Sequence, residues 1–227
     1  MPIFNPLNVP RTNTANQHPI LFDGGRAEQG FFTPSNGFFG WEVIPHNNKW
    51  ADGTPSFMAP PSHYHLLQSE SFHVKSGSGC WYVGNKKITL KGGDDIVIPR
   101  FVAHRFEAIE NEAAEPLVIL YRYDSQRWEM EERFFRNSLP YMWDCKRAGV
   151  EPSILQLCVF CLDAWMPVEV IKIPWVGEYV RCAVNTLLLM ILAGIGMGLF
   201  GYKRSYPEYF DKDAMRKRID EESRKVK

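Results

Sequence analysis

Short apolar or alternating runs recur between residues 35 and 124: "GFFGWEVI", "ESFHV", "GCWYV", "KKITL", "DIVIP", "AHRFEAI" and "PLVILYRY", each bounded by Gly, Pro, Asn or Asp. Runs this short suit strands, and alternation at period two sends one side of each strand inward. Many such strands at close spacing predict an antiparallel sandwich or barrel. Residues 1–34 are rich in Pro, Asn, Thr and Gly and read as an extended arm. After Tyr123 the strand signals stop. "SQRWEMEERFFRNSLPYMWDCKRAG" predicts an amphipathic helix interrupted near Pro140, and "GVEPS" a turn with a new helix start at Ser153. The class is therefore mainly β, an antiparallel sandwich or barrel over 35–124, with an α-helical extension over 125–181 that lies partly in a membrane interface.

The stretch 182–202, "CAVNTLLLMILAGIGMGLFGY", carries no charge. Twenty-one helical residues reach about 30 Å, the thickness of a bilayer's hydrocarbon core. It is expected to be a transmembrane helix and the membrane a partner, with 203–227 as a charged, helical tail. Gly194-x3-Gly198 lets two such helices approach closely, which leaves room for a homodimer. Lys203, Arg204 and the run Arg216–Arg218 favour a cytosolic tail. The N-terminal "MPIFNPLNVPRTNTANQHP" has no basic region followed by an apolar core, so no secretory signal is expected. Five cysteines without regular spacing argue against a disulfide framework. The expected placement is membrane-associated, with the barrel facing the cytosol and 154–176 lying shallowly in the interface.

Lys+Arg and Asp+Glu both number 26, so the chain lacks the basic footprint of a nucleic-acid binder. Its chemistry concentrates in "SHYHLLQSESFHVKSG", Ser62 to Gly77. His63 and His65, two apart, point the same way along a strand. Glu70 returns to the inner face of the next segment, and His104, after "GDDIVIPRFVA", is the candidate fourth partner. Imidazoles and a carboxylate on one face are the usual supply for a divalent transition metal with open positions. His18, in the arm, and His46, before a turn, are expected to face solvent. Parity sets His73 opposite Glu70, outward. Cys158 and Cys161 sit in an apolar run and read as buried small hydrophobes.

The spacing H-x-H-x4-E-x6-G through His63, His65, Glu70 and Gly77 resembles the first motif of the cupin superfamily. Gly93, Pro99 and His104 are similar to the second, G-x5-P-x-G-x2-H-x3-N, with Phe101 in place of glycine and Ala108 in place of asparagine. The resemblance covers residues 35–124 and implies a small jelly-roll-like β-barrel holding a metal through His63, His65, Glu70 and His104. Iron(II) is the expected ion, with Mn, Ni, Co, Cu or Zn permitted by ligand type. Glu70 is also the candidate catalytic base. Phe101 is expected to follow a less glycine-like turn and to narrow the pocket mouth. Phe72, Trp81, Phe101, Phe106 and Tyr121 are the candidate substrate-pocket residues, suited to a small, flat aromatic molecule. More loosely, the chain is similar to fungal-type cupins of specialised metabolism. That likeness implies an iron oxygenase or dioxygenase acting on a lipophilic aromatic or polyketide-like substrate. A non-redox isomerase, cyclase or decarboxylase is the alternative, and a non-catalytic, membrane-anchored binding protein is the third reading.

Overall fold

The computed structural model describes residues 9–110 and 114–225. These form nine strands and four helices: β1 (Ile20–Phe22), β2 (Ala27–Phe31), β3 (Gly40–Ile44), β4 (Glu70–Ser76), β5 (Ser78–Val83), β6 (Lys86–Lys91), β7 (Asp95–Ile98), β8 (His104–Ala108), β9 (Leu117–Tyr123), α1 (Trp128–Arg147), α2 (Ile154–Asp163), α3 (Glu178–Phe200) and α4 (Lys212–Lys225). Six strands make one antiparallel sheet in the order β1-β2-β3-β9-β4-β7, and three make a second in the order β6-β5-β8. Inward side chains of the two sheets meet. The ring of Phe72 on β4 lies 5.1 Å from Phe106 on β8 and 5.9 Å from Trp81 on β5. The period of two is plain along β4, where Glu70, Phe72 and Val74 are buried and Ser71 and His73 are not. His73 thus faces outward, with Nδ1 3.0 Å from an Asp95 carboxylate oxygen. Gly77 turns β4 into β5 at φ 76°, where a Cβ would meet the Pro116 carbonyl oxygen at 2.3 Å.

Four expectations need correction. The stretch expected as an arm contains β1 and β2, which pair with each other and then with β3; residues 1–8 lie outside the described residues. Their signal was weak because inward places are held by Ala27 and by Gln29, whose amide donates to the Tyr121 hydroxyl at 2.8 Å. His18 is not solvent-facing: its Nε2 sits 2.7 Å from the Phe31 carbonyl and 3.1 Å from the Phe31 amide. Burial and the neighbouring Arg218 push that imidazole down to about 4. Helix α1 runs unbroken through Pro140. A mid-helix proline costs about 3 kcal/mol, but fully burying a side chain such as Leu139 returns about 1.5–3 kcal/mol, and Tyr141 is buried beside it.

The fourth correction concerns 125–181, which is not only helical. The chain after α2 returns as an extended segment beside the two histidines. Tyr64 N–H donates to Pro167 O at 2.9 Å, Leu66 N–H to Trp165 O at 3.2 Å and Glu169 N–H to Ser62 O at 2.7 Å. On its other side, His63 exchanges both backbone hydrogen bonds with His104, each 2.9 Å. The H-x-H segment is therefore clamped between β8 and the extension.

Helix α3 begins at Glu178, four residues before the uncharged stretch, and stops at Phe200 with Gly201 in the left-handed region. One stripe of it, Cys182, Asn185, Leu189, Ala193 and Gly196, is buried. Leu155, Cys158 and Leu162 of α2 pack beneath Ala193. Beyond α3 the chain turns back onto α1. Tyr206 N–H donates to Asn137 Oδ1 at 2.8 Å, and the Tyr209 hydroxyl to Asp144 Oδ2 at 2.8 Å. Arg218 on α4 closes a buried knot. It donates to Glu132 Oε2 at 2.7 Å, while Arg136 holds Glu132 Oε1 at 2.7 Å and also reaches the carbonyls of Thr14 and Gln17. Glu132 has no exposed surface. Removing it strands two guanidinium groups in a dry interior, so Glu132→Ala is expected to cost about 3–5 kcal/mol in urea unfolding. Lys217→Ala, at an exposed position of the same helix, should change stability by less than about 0.5 kcal/mol.

Candidate metal centre

His63, His65, Glu70 and His104 converge in the barrel interior, one donor atom from each lying within 4.8 Å of the others, and all four residues are buried. Strand parity delivers Glu70 from β4 and His104 from β8, and the clamped 62–66 segment delivers the other two. The imidazole orientations have a local cause. His63 Nδ1 lies 2.9 Å from Pro61 O, and His104 Nδ1 lies 3.0 Å from Val102 O. Each Nδ1–H donates to a carbonyl, which leaves the Nε2 lone pair turned into the cluster. There Glu70 Oε2 lies 3.2 Å from His104 Nε2 and 3.3 Å from His65 Nε2. His65 Nε2 is buried without a hydrogen-bond partner.

Acceptors facing acceptors in an apolar interior repel unless a cation or proton sits among them. This is the chemistry of a metal-binding donor set. Four donors around one ion at about 2.1 Å are at most about 4.2 Å apart, so the spacing seen here closes with small side-chain movements. Burial would raise the Glu70 carboxyl, but without an ion a proton on the adjacent His65 or His104 ring takes the cation's place, and its charge and hydrogen bonding hold the group well below the usual carboxylate range. Burial, followed by the like charges of His104 and His65, pushes the His63 imidazole well down. Glu70 is thus an anion and His63 a neutral ligand, the forms a divalent ion needs.

The cluster opens on a cavity of about 210 Å³ whose lining is almost wholly apolar. Among the expected pocket residues, Phe72, Phe106 and Tyr121 line it. Trp81 and Phe101 do not. Trp81 stacks on Phe106 at 5.6 Å, deep between the sheets. Phe101 keeps the left-handed turn of a glycine, φ 66°, contrary to expectation. Its amide donates to His65 O at 3.1 Å, and its ring packs toward Tyr179 at 5.8 Å instead of narrowing the mouth. Those contacts offset the left-handed cost of about 1–2 kcal/mol. The far wall belongs to the helical extension: Phe134, Phe135 and Leu139 of α1, Cys161 of α2, and Val168. Cys161 is no nucleophile there, since burial pushes its thiol up to about 12.

Two further acids were missed in the sequence. Glu42 on β3 is buried and lines the cavity. Burial first, then the Glu70 charge, pushes its carboxyl up to about 8. Its signal was an acid at an inward position between Gly40 and Ile44. Glu131 on α1, accepting from Gln68 at 2.7 Å and from the Arg127 amide at 3.0 Å, is pushed by burial up to about 7. Burial and the Glu70 charge also hold the Tyr123 phenol well above its usual range. At neutral pH the site therefore pairs one firm carboxylate, Glu70, with Glu42 and Tyr123 in their protonated forms.

A model of the cupin domain family matches residues 54–120. The chain is 30% identical over 156 residues to a probable oxidoreductase, virH, of Hypocrea virens, covering 66% of this chain and 68% of that one. It is 26% identical over 224 residues to the oxidoreductase OpS7 of Beauveria bassiana, covering 88% of this chain and 73% of that one. Among solved structures, KdgF from Halomonas sp. is similar with a TM-score of 0.35 at 16% identity, over 45% of this chain and 82% of that one.

The site predicts two outcomes. A divalent ion at a hundred times its dissociation constant should stabilise the protein by about 2.7 kcal/mol, read as a rise in melting temperature that a chelator reverses. His63→Ala and His104→Ala should abolish that rise and the stoichiometric metal found by elemental analysis. In the metal-free protein, Glu42 ionises near 4.5 when unfolded and near 8 when folded. Between those values the unfolded chain binds fewer protons, so stability falls as pH rises, by up to about 1.4 kcal/mol per pH unit. Glu42→Gln should remove that slope. Its melting temperature relative to the parent should climb from pH 5 to pH 8; a constant difference would refute the assignment.

Proposed function

The chain belongs to the cupin superfamily and is a cupin-type oxidoreductase; from that premise we propose that its ion is iron(II) and that it oxidises a small lipophilic aromatic or polyketide-like metabolite with dioxygen. The carrying observation is the buried His63–His65–Glu70–His104 set opening directly on an apolar, aromatic-lined cavity. Bound iron(II) would supply the one-electron and dioxygen chemistry that no side chain here possesses.

The chain's own groups supply the rest. Phe72, Phe106 and Phe135 hold a flat ring and keep water from the reacting atoms. Glu70, anionic and on the cavity wall, is the base placed to take a proton from a phenol or enol hydroxyl of the substrate. Glu42 and Tyr121, both protonated and on the wall, offer hydrogen bonds to a substrate carbonyl or hydroxyl. The likeness to virH, a probable oxidoreductase, and to the oxidoreductase OpS7 supports an oxidising role.

Protein loaded anaerobically with iron(II), given lipophilic phenols and enols in an oxygen-electrode cell, is expected to consume oxygen in step with substrate loss. The zinc-loaded form should be inert. Glu70→Gln should lower the rate by about a hundredfold or more. Turnover of the same substrates by the zinc form without oxygen would instead identify a non-redox reaction.

A further inference from the structure

Of the large hydrophobic side chains standing in solvent among the described residues, all but Leu21 and Val97 fall between 154 and 200. They form one face. Leu187, Met190, Ile191, Ile195 and Leu199 run down the outer side of α3, and Trp175 and Tyr179, 86% and 74% exposed, stand at its N-terminal end. No acidic or basic residue lies between Arg181 and Lys203.

A protein partner would be expected to find a hydrogen-bonding group for every 100–200 Å² or so of such a surface. Between Cys182 and Phe200 this face has almost none: the one hydroxyl there, Thr186, is spent on the Cys182 carbonyl at 2.7 Å. Aromatic side chains at one end and exposed Lys203 and Arg204 at the other match a bilayer's interfacial zone, which takes amphipathic rings and attracts cations toward anionic headgroups.

The ends of α3 decide how it can meet a bilayer. Near its N-terminus, Asn185 accepts from the amides of Val170 and Ile171 at 2.9 and 2.8 Å, directly after the 165–169 segment that holds the His63–His65 stretch. Past its C-terminus, the Tyr202 hydroxyl donates to Ser153 Oγ at 2.8 Å, Gln156 donates to Lys203 O at 2.9 Å, and the Tyr206, Tyr209 and Arg218 contacts tie the following residues to α1. A 23-residue helix is about 35 Å long. Crossing a bilayer would set these two groups of contacts on opposite sides of it, while both belong to the same folded body. Gly196, where a Cβ would meet Leu155 O at 3.1 Å, shows how closely the inner side of α3 lies on α2.

We propose that the exposed face of α2–α3 docks in the plane of a lipid bilayer, with α3 lying along the membrane surface and both its ends, the barrel and α4 on one side. Leu157 and Cys161 of α2 line the cavity while Leu155, Cys158 and Leu162 meet the underside of α3, so one helix separates the cavity from the docked face. The docking does not depend on the reaction.

The full-length protein is mixed with phosphatidylcholine–phosphatidylserine vesicles and floated on a density gradient. Floated samples are then treated with trypsin from outside. The protein should float, and the 203–225 segment should be cut at the rate seen without vesicles. The triple variant Leu187→Glu, Ile191→Glu, Leu199→Glu should keep its circular dichroism and lose about tenfold or more of the floated fraction. Protection of 203–225 from trypsin would overturn in-plane docking in favour of a span. Failure to float, with a stable dimer that the triple variant dissociates in sedimentation analysis, would assign the face to a second copy. Failure to float as a monomer would overturn the proposal outright.

Discussion

Lone pairs facing lone pairs in a dry interior dominate this molecule. His104 Nε2 and His65 Nε2 both lie near one oxygen of Glu70, and the first of these rings has its other nitrogen committed to a backbone carbonyl. Such a cluster is costly by itself and favourable around a cation. The fold carries that cost because the four side chains have no room to turn away. Two of them are locked through backbone hydrogen bonds between His63 and His104, and a third is anchored on an inner strand of the six-stranded sheet, since β4 is paired on both sides, with β9 and with β7.

The helical extension belongs to this arrangement. Its return segment, 165–169, pairs with the histidine segment on the edge that β8 leaves open, and α1 and α2 close the cavity that the barrel half-encloses. The α1–α4 knot around Glu132 then ties the chain's N-terminal stretch, β2, α1 and α4 together through one carboxylate and two guanidinium groups. The metal centre and the helices are thus one structural unit, and a barrel cut away from its extension would lose both a cavity wall and one side of its ligand-bearing segment.

Much of the site was legible because it is local or periodic. The H-x-H-x4-E spacing names three donors within eight residues, and the glycine–proline–histidine pattern near 93–104 points to the fourth. The period of two put Phe72 beside Glu70 and sent His73 outward. What was missed is non-local or exceptional. Glu42 reads as an ordinary acid in a strand until its partner strands bury it. Phe101 in a glycine turn defies the rule that bulky residues avoid positive φ, because packing against Tyr64, Ala103 and Cys182 compensates. Pro140 sits inside a helix whose tertiary contacts outweigh one lost hydrogen bond.

The amino-acid sequence by itself determined the β-rich class, the four donors and the uncharged stretch near the C-terminus, since each rests on residue type and short spacing. Tertiary structure alone decided that β1 and β2 join the sheet, that 165–169 flanks the histidines, that burial raises the Glu42 and Glu131 carboxyls, and that both ends of α3 are held by the same body. Those features depend on contacts between residues tens to more than a hundred positions apart, and on the burial such contacts create, which no local pattern encodes.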